Sequence, residues 1–579
     1  MTLRVNGSRM ALGLVLALGL PSIAGAQPPP ANVPPPYTPA ANATDLKAVL
    51  FNWGWHMVQL RGVDEHELAV SLEYTGKGIV QVDAQPCALT KYRSSTNYQT
   101  PGQRIQYTCT RPNGQAYSTI EVVSGRYAWN EDMPGAEIVA GKGKATPMPN
   151  AVQERLIRLW AGPQAALKAA LAGAGIPLSA MERNPGRLLA GGVANLGDTS
   201  VAWKGGKPFV TFPVPGVAGA TAVATLDSKH YVPESVVVTQ GSTTTAFAYG
   251  DYKDWNNPLN QIEAQYTGKI TEKRNGQTLR DLTTEQTETG SVYVVVPVPA
   301  SVRNAITPGK AADPPVLTAS DRQTKVESKD ATPRTAAGKP DLTGNWISGG
   351  MNWRYGNRRC SPEQLAGCSE AWNQTLDFEF EAPSRFGPNR PLYKPEFWDK
   401  VQELDMWTNK YDPVMTCQPL GIPRHGAPRR IVQNSNDVIF FYGQYADGGG
   451  GYGEYRIIPT DGRKHDKKQM QQTKYMGYTV GNWEGDTLVL DSVAFNDFTW
   501  LARGGFFHSE DMRVVERFTR QGNEILYEVT IEDPQVLAEP WIMTPRVLRP
   551  VTFADAGLLP ERGNCETYET EDVATQIRH

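Results

Sequence analysis

Residues 478–495 read YTVGNWEGDTLVLDSVAF, and this stretch decides the fold of the second half of the chain. Apolar and polar residues alternate on both sides of Glu484-Gly485-Asp486, which is typical of two strands joined by a tight turn. The pattern recurs in RIVQNSNDVIFFYGQY (430–445), GYGEYRIIPTDGR (451–463) and MRVVERFTRQGNEILYEVTIED (512–533). Consecutive hairpins close most readily into an antiparallel barrel, and a small barrel holds one small ligand.

The start of this barrel lies at residue 340, where PDLTGNW leads into the first strand. Its Gly344-Asn345-Trp346 resembles the opening signature of lipocalin-like barrels. Further blocks are similar to those of an uncharacterised family of exported bacterial proteins: GKPDLTGNW, CQPLGIPR, IIPTDGR, GNWEGDTLVLDSVAFNDFTWL, HSEDMRVVERF and IEDP. The resemblance spans about residues 340–570 and implies no established activity.

The first half of the chain combines helices with many short strands. A helical stripe consists of Leu46, Val49, Leu50, Trp53, Met57 and Leu60, with Thr44 as the predicted cap, and residues 150–173 predict a second helix. Hairpins lie between and after these helices. This order resembles the half-barrel of the periplasmic lipoprotein carrier over about residues 45–300. The resemblance implies a concave sheet with a hydrophobic face and a carrier-like cavity.

The N-terminus predicts export. Arg4 and Arg9 precede the short apolar run at 11–20, and Ala24-Gly25-Ala26 forms a cleavage site, which indicates a signal peptide over residues 1–26. The alternative is an uncleaved membrane anchor. A proline-rich tether follows at 27–42. We therefore expect a mainly β protein that is periplasmic or secreted, with an N-terminal antiparallel half-barrel with packed helices (43–305), a linker (306–339) and a C-terminal lipocalin-like β-barrel (340–579).

Charge and cysteine content narrow the function further. The formal net charge is −3, which argues against nucleic acid as the main partner, because phosphate binding needs a basic surface. Six cysteines fit three disulfides in an oxidising compartment, although 15 pairings are formally open. The pairing we predict is Cys87–Cys109, Cys360–Cys368 and Cys417–Cys565. A metal site is the alternative, but no C-x-x-C motif is present.

The densest set of candidate site residues lies in 461–517. His508 with Asp497 or Glu510 could carry out general acid–base catalysis, because the pKa of histidine lies near neutral pH. Possible ligand contacts nearby are Arg463, His465, Trp500 and Arg517. The alternative is that all these residues have structural roles only.

A second candidate is Arg424, within the basic stretch PRHGAPRR (423–430). Its guanidinium could hold a carboxylate or phosphate, but a solvated strand edge is the preferred interpretation. No standard catalytic motif occurs, and we predict neither metal nor cofactor. The leading hypothesis is that the protein binds or carries a small amphiphilic, hydrophobic or aromatic molecule in the barrel.

The alternative hypothesis is a periplasmic lyase, isomerase or hydrolase that acts on a small organic molecule through His508. After cleavage of the signal peptide, no remaining stretch approaches the length of a membrane-spanning helix. The sequence leaves open the ligand, the oligomeric state, contact with the cell envelope, and whether the two β domains form one site.

Overall fold

The computed structural model describes residues 37–57, 71–98, 101–176, 189, 197–254, 265–290, 293–306, 326–348, 390–413, 418–442, 454–502, 504–543 and 545–551. The predicted signal peptide and most of the predicted tether lie outside these residues. Within them the protein is mainly β, as predicted, and two large antiparallel sheets follow one another along the chain.

The first sheet is built almost entirely from neighbouring hairpins. Its strands, with the small β12–β13 pair beside them, are β1 (Ser71–Val82), β2 (Gln85–Asn97), β3 (Gly102–Thr110), β4 (Ala116–Ser124), β5 (Tyr127–Glu131), β6 (Ala145–Pro147), β7 (Ser200–Lys204), β8 (Lys207–Pro213), β9 (Ala220–Leu226), β10 (Pro233–Gln240), β11 (Thr243–Gly250), β12 (Lys253–Asp254), β13 (Gln265–Tyr266), β14 (Lys269–Arg274) and β15 (Gln277–Gly290). The order β6-β5-β4-β3-β2-β1-β15-β14-β11-β10-β9-β8-β7 joins the two runs of hairpins through β1 and β15.

Three helices pack against one face of this sheet: α1 (Leu46–His56), α2 (Val152–Ala161) and α3 (Pro163–Gly173). Five residues of the predicted stripe are buried, namely Leu46, Val49, Leu50, Trp53 and Met57, while Leu60 lies outside the described residues. The predicted cap was wrong by one residue, because the Asp45 side chain accepts from the Ala48 N–H at 3.2 Å. The predicted helix over 150–173 is divided at Gly162-Pro163, since proline lacks the N–H that an uninterrupted helix needs and fits the first turn of a new one.

Tyrosines and ion pairs share this helix-covered face. The rings of Tyr266, Tyr74, Tyr92, Tyr107 and Tyr117 form a ladder with centroid separations of 5.4, 5.8, 6.4 and 6.2 Å. Next to it, Arg158 donates to Glu272 at 2.9 Å and Arg280 donates to Glu121 at 2.8 Å. Sheet and helices thus enclose their own polar network.

The second sheet forms a nearly closed barrel, which confirms the predicted fold class. Its strands, with the β22–β23 hairpin beside them, are β16 (Gly344–Ser348), β17 (Arg430–Gln433), β18 (Asp437–Phe441), β19 (Tyr455–Pro459), β20 (Tyr478–Glu484), β21 (Thr487–Val493), β22 (Trp500–Ala502), β23 (Phe506–Phe507), β24 (Arg513–Gln521), β25 (Glu524–Glu532), β26 (Trp541–Ile542) and β27 (Arg546–Pro550). The end strands β19 and β20 approach each other, and Gly462 donates to the Gly481 carbonyl at 3.3 Å.

Segments between the two sheets hold them together. Helix α4 (Ala300–Ile306) follows β15, and α5 (Trp398–Met406) and α6 (Thr408–Tyr411) precede β17. The buried segment 293–298 lies between the sheets. The Tyr293 hydroxyl donates to the Pro391 carbonyl at 2.7 Å, and Asn97 of β2 donates to the Val294 carbonyl at 2.8 Å.

Part of the predicted linker is attached to the barrel. The backbone N–H of Glu327 donates to Glu524 at 2.6 Å, and Arg334 donates to Asp486 at 2.6 Å. These contacts reach the turns of two barrel hairpins. Residues 326–339 therefore form a strap along the barrel, while residues 307–325 lie outside the described part.

The first predicted disulfide is confirmed. Cys87 and Cys109 are bonded across β2 and β3, with a Cα–Cα distance of 5.5 Å, and both are fully buried. Cys360, Cys368, Cys417 and Cys565 lie outside the described residues, so the other two pairings remain predictions.

Candidate functional site

A cleft of about 770 Å³ opens on the face of the first sheet opposite the helices. Its lining comes from neighbouring strands and includes Thr75, Lys91, Arg93, Gln106, Thr108, Ser118, Ile120 and Glu131. Because side chains alternate between the two faces of a strand, these residues lie behind the tyrosine ladder. We call this space the junction cleft, because its lining touches the second domain.

The cleft lies where two strands lose their regular pairing. Strand β1 pairs with β2 at Thr75↔Arg93 and again only at Ile79↔Ala88, and β2 has a bulge at Thr90. Gly78 makes the close approach of β1 to β15 possible. Its φ is +138°, and a Cβ there would lie 2.0 Å from the Asp281 carbonyl oxygen. The glycines of this stretch thus allow a local widening of the sheet.

Helix α5, which precedes the strands of the second sheet, contacts residues at and beside the cleft. Arg93 donates to Asp399 and Gln402 at 2.8 and 2.9 Å. The Arg104 guanidinium lies 4.7 Å from the centroid of the Trp398 ring. The cleft therefore lies on the first sheet, and its lining residue Arg93 bonds to a helix that precedes the strands of the second sheet.

Charges in the cleft are balanced by neighbouring residues. Burial opposes ionisation of Arg93, but Glu73 at 2.8 Å and Asp399 outweigh it and raise the pKa of Arg93. Glu131 is paired with Arg104 at 2.9 Å. The site thus presents ion pairs rather than an excess of one charge.

Hydroxyl groups form a row across the same face. The Thr108 and Ser118 hydroxyls are 2.9 Å apart, and the Thr90 hydroxyl donates to the Thr108 carbonyl at 3.1 Å. Ile120 belongs to an apolar cluster that continues on this face through Val122 and Trp129. Polar and apolar surfaces therefore meet in the cleft.

Three of the residues predicted from the sequence come together elsewhere, at the end of the barrel. The guanidinium of Arg424 lies 6.0 Å from the centroid of the Trp500 ring, and the neighbouring Thr499 is hydrogen-bonded to His508 at 2.6 Å. Arg424 is buried and forms two hydrogen bonds to Asp412 at 2.6 and 2.8 Å. The preferred interpretation, a solvated strand edge, was wrong for Arg424, because the guanidinium is buried and an acidic partner compensates it.

His508 has other partners than the two predicted carboxylates. Its Nδ1 lies 2.9 Å from the Ser509 carbonyl, so Nδ1 donates and Nε2 accepts from Thr499. Burial lowers the pKa of His508, against smaller raising effects of the Ser509 carbonyl, Asp533 and Asp497. Asp497 and Glu510 are exposed. The imidazole is therefore neutral at pH 7.

The remaining predicted contacts lie on the outside of the barrel. Arg463 pairs with Asp461 at 2.6 Å, His465 lies 3.5 Å from Asp491, and Arg517 pairs with Glu484 at 3.0 Å. The partners Asp461, Asp491 and Glu484 differ from those of His508 and Trp500, which contact Thr499, the Ser509 carbonyl and Arg424. The candidate set of the 461–517 region is thus divided between the barrel end and the outer wall.

Sequence reasoning missed a polar group inside the barrel. Arg456 lies 2.7 Å from Glu516, and it donates to the Tyr442 hydroxyl at 2.8 Å. His425 contacts Glu454, and its ring lies 4.5 Å from that of Tyr442. The sequence contains a signal for this group, because Arg456 and Glu516 fall at inward-facing positions of strands in which buried and more exposed residues alternate.

Aromatic side chains fill much of the remaining barrel interior. The ring of Phe518 lies 5.0 Å from Phe440 and 4.7 Å from Tyr527. Phe440 and Phe518 are fully buried. Side chains of the described barrel strands therefore occupy much of the space in which a ligand would lie. The junction cleft is for this reason the better candidate for ligand binding.

The described residues contain neither a candidate metal centre nor a candidate membrane-spanning helix. No group of three or more histidine, cysteine, aspartate or glutamate residues there has a metal-binding arrangement. No helix in that part of the chain has both the length and the apolar character needed to cross a membrane.

The chain is similar to solved structures but matches no family model or curated sequence. No protein-family model matches the chain, and no curated protein sequence matches it. Among solved structures, a domain assigned to outer membrane lipoprotein sorting from Vibrio parahaemolyticus is similar at 8% identity, with 42% of this chain and 93% of that chain covered and a TM-score of 0.24. A LolA superfamily protein from Nitrosomonas europaea is similar at 11% identity, covers 43% of this chain and 94% of that chain, and has a TM-score of 0.23.

Both structures belong to the lipoprotein-carrier type to which we likened the N-terminal sequence. At these TM-scores the likeness carries no argument about the site or its ligand. The similarity of the C-terminal blocks to exported bacterial proteins remains a prediction.

Proposed function

We propose that this chain is an exported binding protein that holds one small amphiphilic molecule in the junction cleft. The observation that carries the proposal is the cleft itself, with its volume of about 770 Å³ on the face of the first sheet opposite the helices. Pockets of roughly 300–1,000 Å³ accommodate small organic ligands. Its lining supports an amphiphile, because the hydroxyl row adjoins the apolar cluster that contains Ile120.

Export is part of the same proposal. The Cys87–Cys109 disulfide supports it, because disulfides persist in oxidising compartments such as the bacterial periplasm. The N-terminal signal predicted over residues 1–26 is consistent with that compartment. Cell fractionation of the bacterium that expresses the full chain would test it, with release of the shortened protein from the periplasm as the expected result.

The binding proposal is tested with a panel of octyl amphiphiles. The panel contains octyl glucoside, octanoate, octyl phosphate and octyltrimethylammonium, each titrated below its critical micelle concentration into the mature protein. At least one should bind saturably, and a ligand at 100 times its Kd should stabilise the protein by about 2.7 kcal/mol. Native mass spectrometry of the protein as purified would show any ligand that is already bound.

A matched pair of variants locates the binding. Ser118→Trp fills the cleft from β4 and should abolish the titration signal. Thr239→Trp places the same side chain at an exposed position of β10, in the same sheet, and should leave binding intact. Equal binding by both variants, or no binding by any panel member, would refute the proposal.

A second candidate function is catalysis at the barrel end, in line with the lyase, isomerase or hydrolase hypothesis. One observation favours it: the Thr499 hydroxyl donates to Nε2 of a neutral His508 at 2.6 Å, as a hydroxyl does before proton transfer to a base. If a substrate panel reveals turnover, His508→Gln should reduce it about 100-fold or more. Asp497→Asn and Glu510→Gln test the carboxylates separately. Full activity of His508→Gln would rule out this assignment.

A further inference from the structure

We infer that the part of the ligand bound in the junction cleft is an uncharged, hydroxyl-rich group such as a saccharide. This inference rests on the proposed binding function and specifies its ligand class. It follows from the charge balance of the cleft and from the polar groups that are left over once that balance is complete.

The charged side chains of the cleft are used within the protein. Arg93 is shared between Glu73 and Asp399, both at 2.8 Å. Glu285 at the edge of the cleft pairs with Lys77 at 3.0 Å. A charged ligand group would have to compete for the partly buried Arg93 with Glu73, and a side chain that loses its partner there costs free energy. The Lys77–Glu285 pair is exposed and contributes little.

Glu131 is compensated most completely. Its carboxylate accepts from Arg104 at 2.9 and 3.3 Å, from the Trp129 indole at 3.0 Å and from the Gly135 N–H at 2.9 Å. Four donors leave this carboxylate little capacity for a ligand cation. It therefore contributes structure to the cleft rather than an anionic anchor.

Two charged groups at the edge remain exposed to water. Asp132 is exposed and accepts from the Lys144 N–H at 2.7 Å. Lys91 is also exposed, so its ammonium keeps its hydration. An exposed lysine attracts an anion only weakly, because water and salt screen the interaction.

The polar groups available to a ligand are neutral. Among the residues that the structure describes, the side chains of Thr75 and Gln106 have no hydrogen-bond partner, and both line the cleft half-buried. The Thr108–Ser118 hydroxyl pair adds further lone pairs and one unused proton. A carboxamide and a hydroxyl can each both donate and accept hydrogen bonds. They therefore match the hydroxyls of a sugar ring better than an anionic group, which only accepts, or a cationic group, which only donates.

Calorimetry with matched octyl amphiphiles tests the headgroup. Octyl glucoside should bind the mature protein more tightly than octyl phosphate or octyltrimethylammonium, and raising the salt concentration from about 50 to about 500 mM should change its Kd by less than about twofold. Gln106→Met keeps the side-chain length and removes the amide. It should weaken octyl glucoside about 3- to 10-fold, as expected for one hydrogen bond.

Two controls separate this inference from the function on which it rests. Gln85→Met changes an exposed glutamine at the start of β2 and should leave the Kd unchanged. Tighter and salt-sensitive binding of octyl phosphate or octyltrimethylammonium, blocked by Ser118→Trp, would overturn the saccharide inference and leave the binding function standing. If no amphiphile binds, or if Ser118→Trp binds them all normally, the binding function fails as well.

Discussion

The Arg456–Glu516 pair allows the sharpest prediction about stability. Glu516 is fully buried inside the barrel, and its carboxylate accepts from Arg456 at 3.0 Å and from the Tyr527 hydroxyl at 2.9 Å. Burial opposes ionisation of Arg456, but Glu516 outweighs that effect and raises the pKa of the guanidinium. Arg456 therefore remains a cation in the barrel and depends on Glu516 for its compensation.

Glu516→Gln removes the compensating charge and preserves the shape of the side chain. Arg456 would retain the Tyr442 hydroxyl at 2.8 Å and Thr479 at 3.4 Å, both neutral. Breaking a buried pair from one side typically costs about 3–5 kcal/mol, and we expect a value near 3 because these neutral acceptors remain. Arg456→Gln alone leaves a buried carboxylate and should cost a similar amount.

The double variant Arg456→Gln/Glu516→Gln should cost less than the sum of the two single changes. Two neutral amides can bond to each other and to the tyrosines, so we expect a coupling energy of about 2 kcal/mol or more. Arg517→Gln is the control from the same strand. Its pair with Glu484 is exposed, and such pairs contribute about 0–1 kcal/mol.

The assay is urea denaturation, in which unfolding is monitored by amide hydrogen exchange and mass spectrometry of individual peptides. Peptides from β24 and β25 report on the barrel, and peptides from β9 and β10 provide an internal reference in the first sheet. Additive single effects would refute the argument from charge compensation. A cost of Arg517→Gln equal to that of Glu516→Gln would show that burial does not decide the energy of these pairs.

Three further predictions concern the first domain. Replacing Cys87 and Cys109 by alanine should lower the free energy of unfolding by about 3 kcal/mol, the entropy expected for a 22-residue separation, as measured by urea denaturation. Burial lowers the pKa of Lys168 to about 8, whereas the same side chain in the unfolded chain has a pKa of about 10.4. Between these pH values the unfolded chain binds more protons than the folded protein, so the free energy of unfolding, measured by the urea midpoint, should rise with pH. Lys168→Met should abolish this rise and should be more stable than the wild type at pH 7. Gly78→Ala should lower the melting temperature, with a loss above about 1 kcal/mol, because its Cβ would collide with the Asp281 carbonyl; an unchanged melting temperature would contradict the tight approach of β1 to β15.

Strand alternation was sufficient to predict the hairpins of both sheets. In β24, Val514, Glu516 and Phe518 are buried and the residues between them are more exposed, so the period of two is visible in the sequence. The alternation of apolar and polar residues shows which side chains share a face of a strand, but it does not show what that face packs against. It could not show that the second face of β2 and β3 contacts another domain.

Candidate site residues were harder to predict because sequence neighbours need not be spatial neighbours. His508 and Glu510 are only two residues apart in the sequence, yet His508 bonds to Thr499 and the Ser509 carbonyl. Arg424 looked like part of a solvated basic stretch because its compensating Asp412 lies in a different segment. The cleft depends on a strand bulge and on α5, and neither leaves a periodic signal.

The face of the first sheet opposite the helices is covered in part by the segment that precedes the second sheet. If the first sheet worked alone, its face opposite the helices would be expected to carry solvated polar residues. Instead it buries Arg104 and Trp129, and the Arg104 guanidinium lies 4.7 Å from the centroid of the Trp398 ring of the second domain. A buried arginine on an outer face is costly without a covering partner. The sequence of the first sheet thus fits the contact of Arg104 and Arg93 with helix α5, beside the junction cleft.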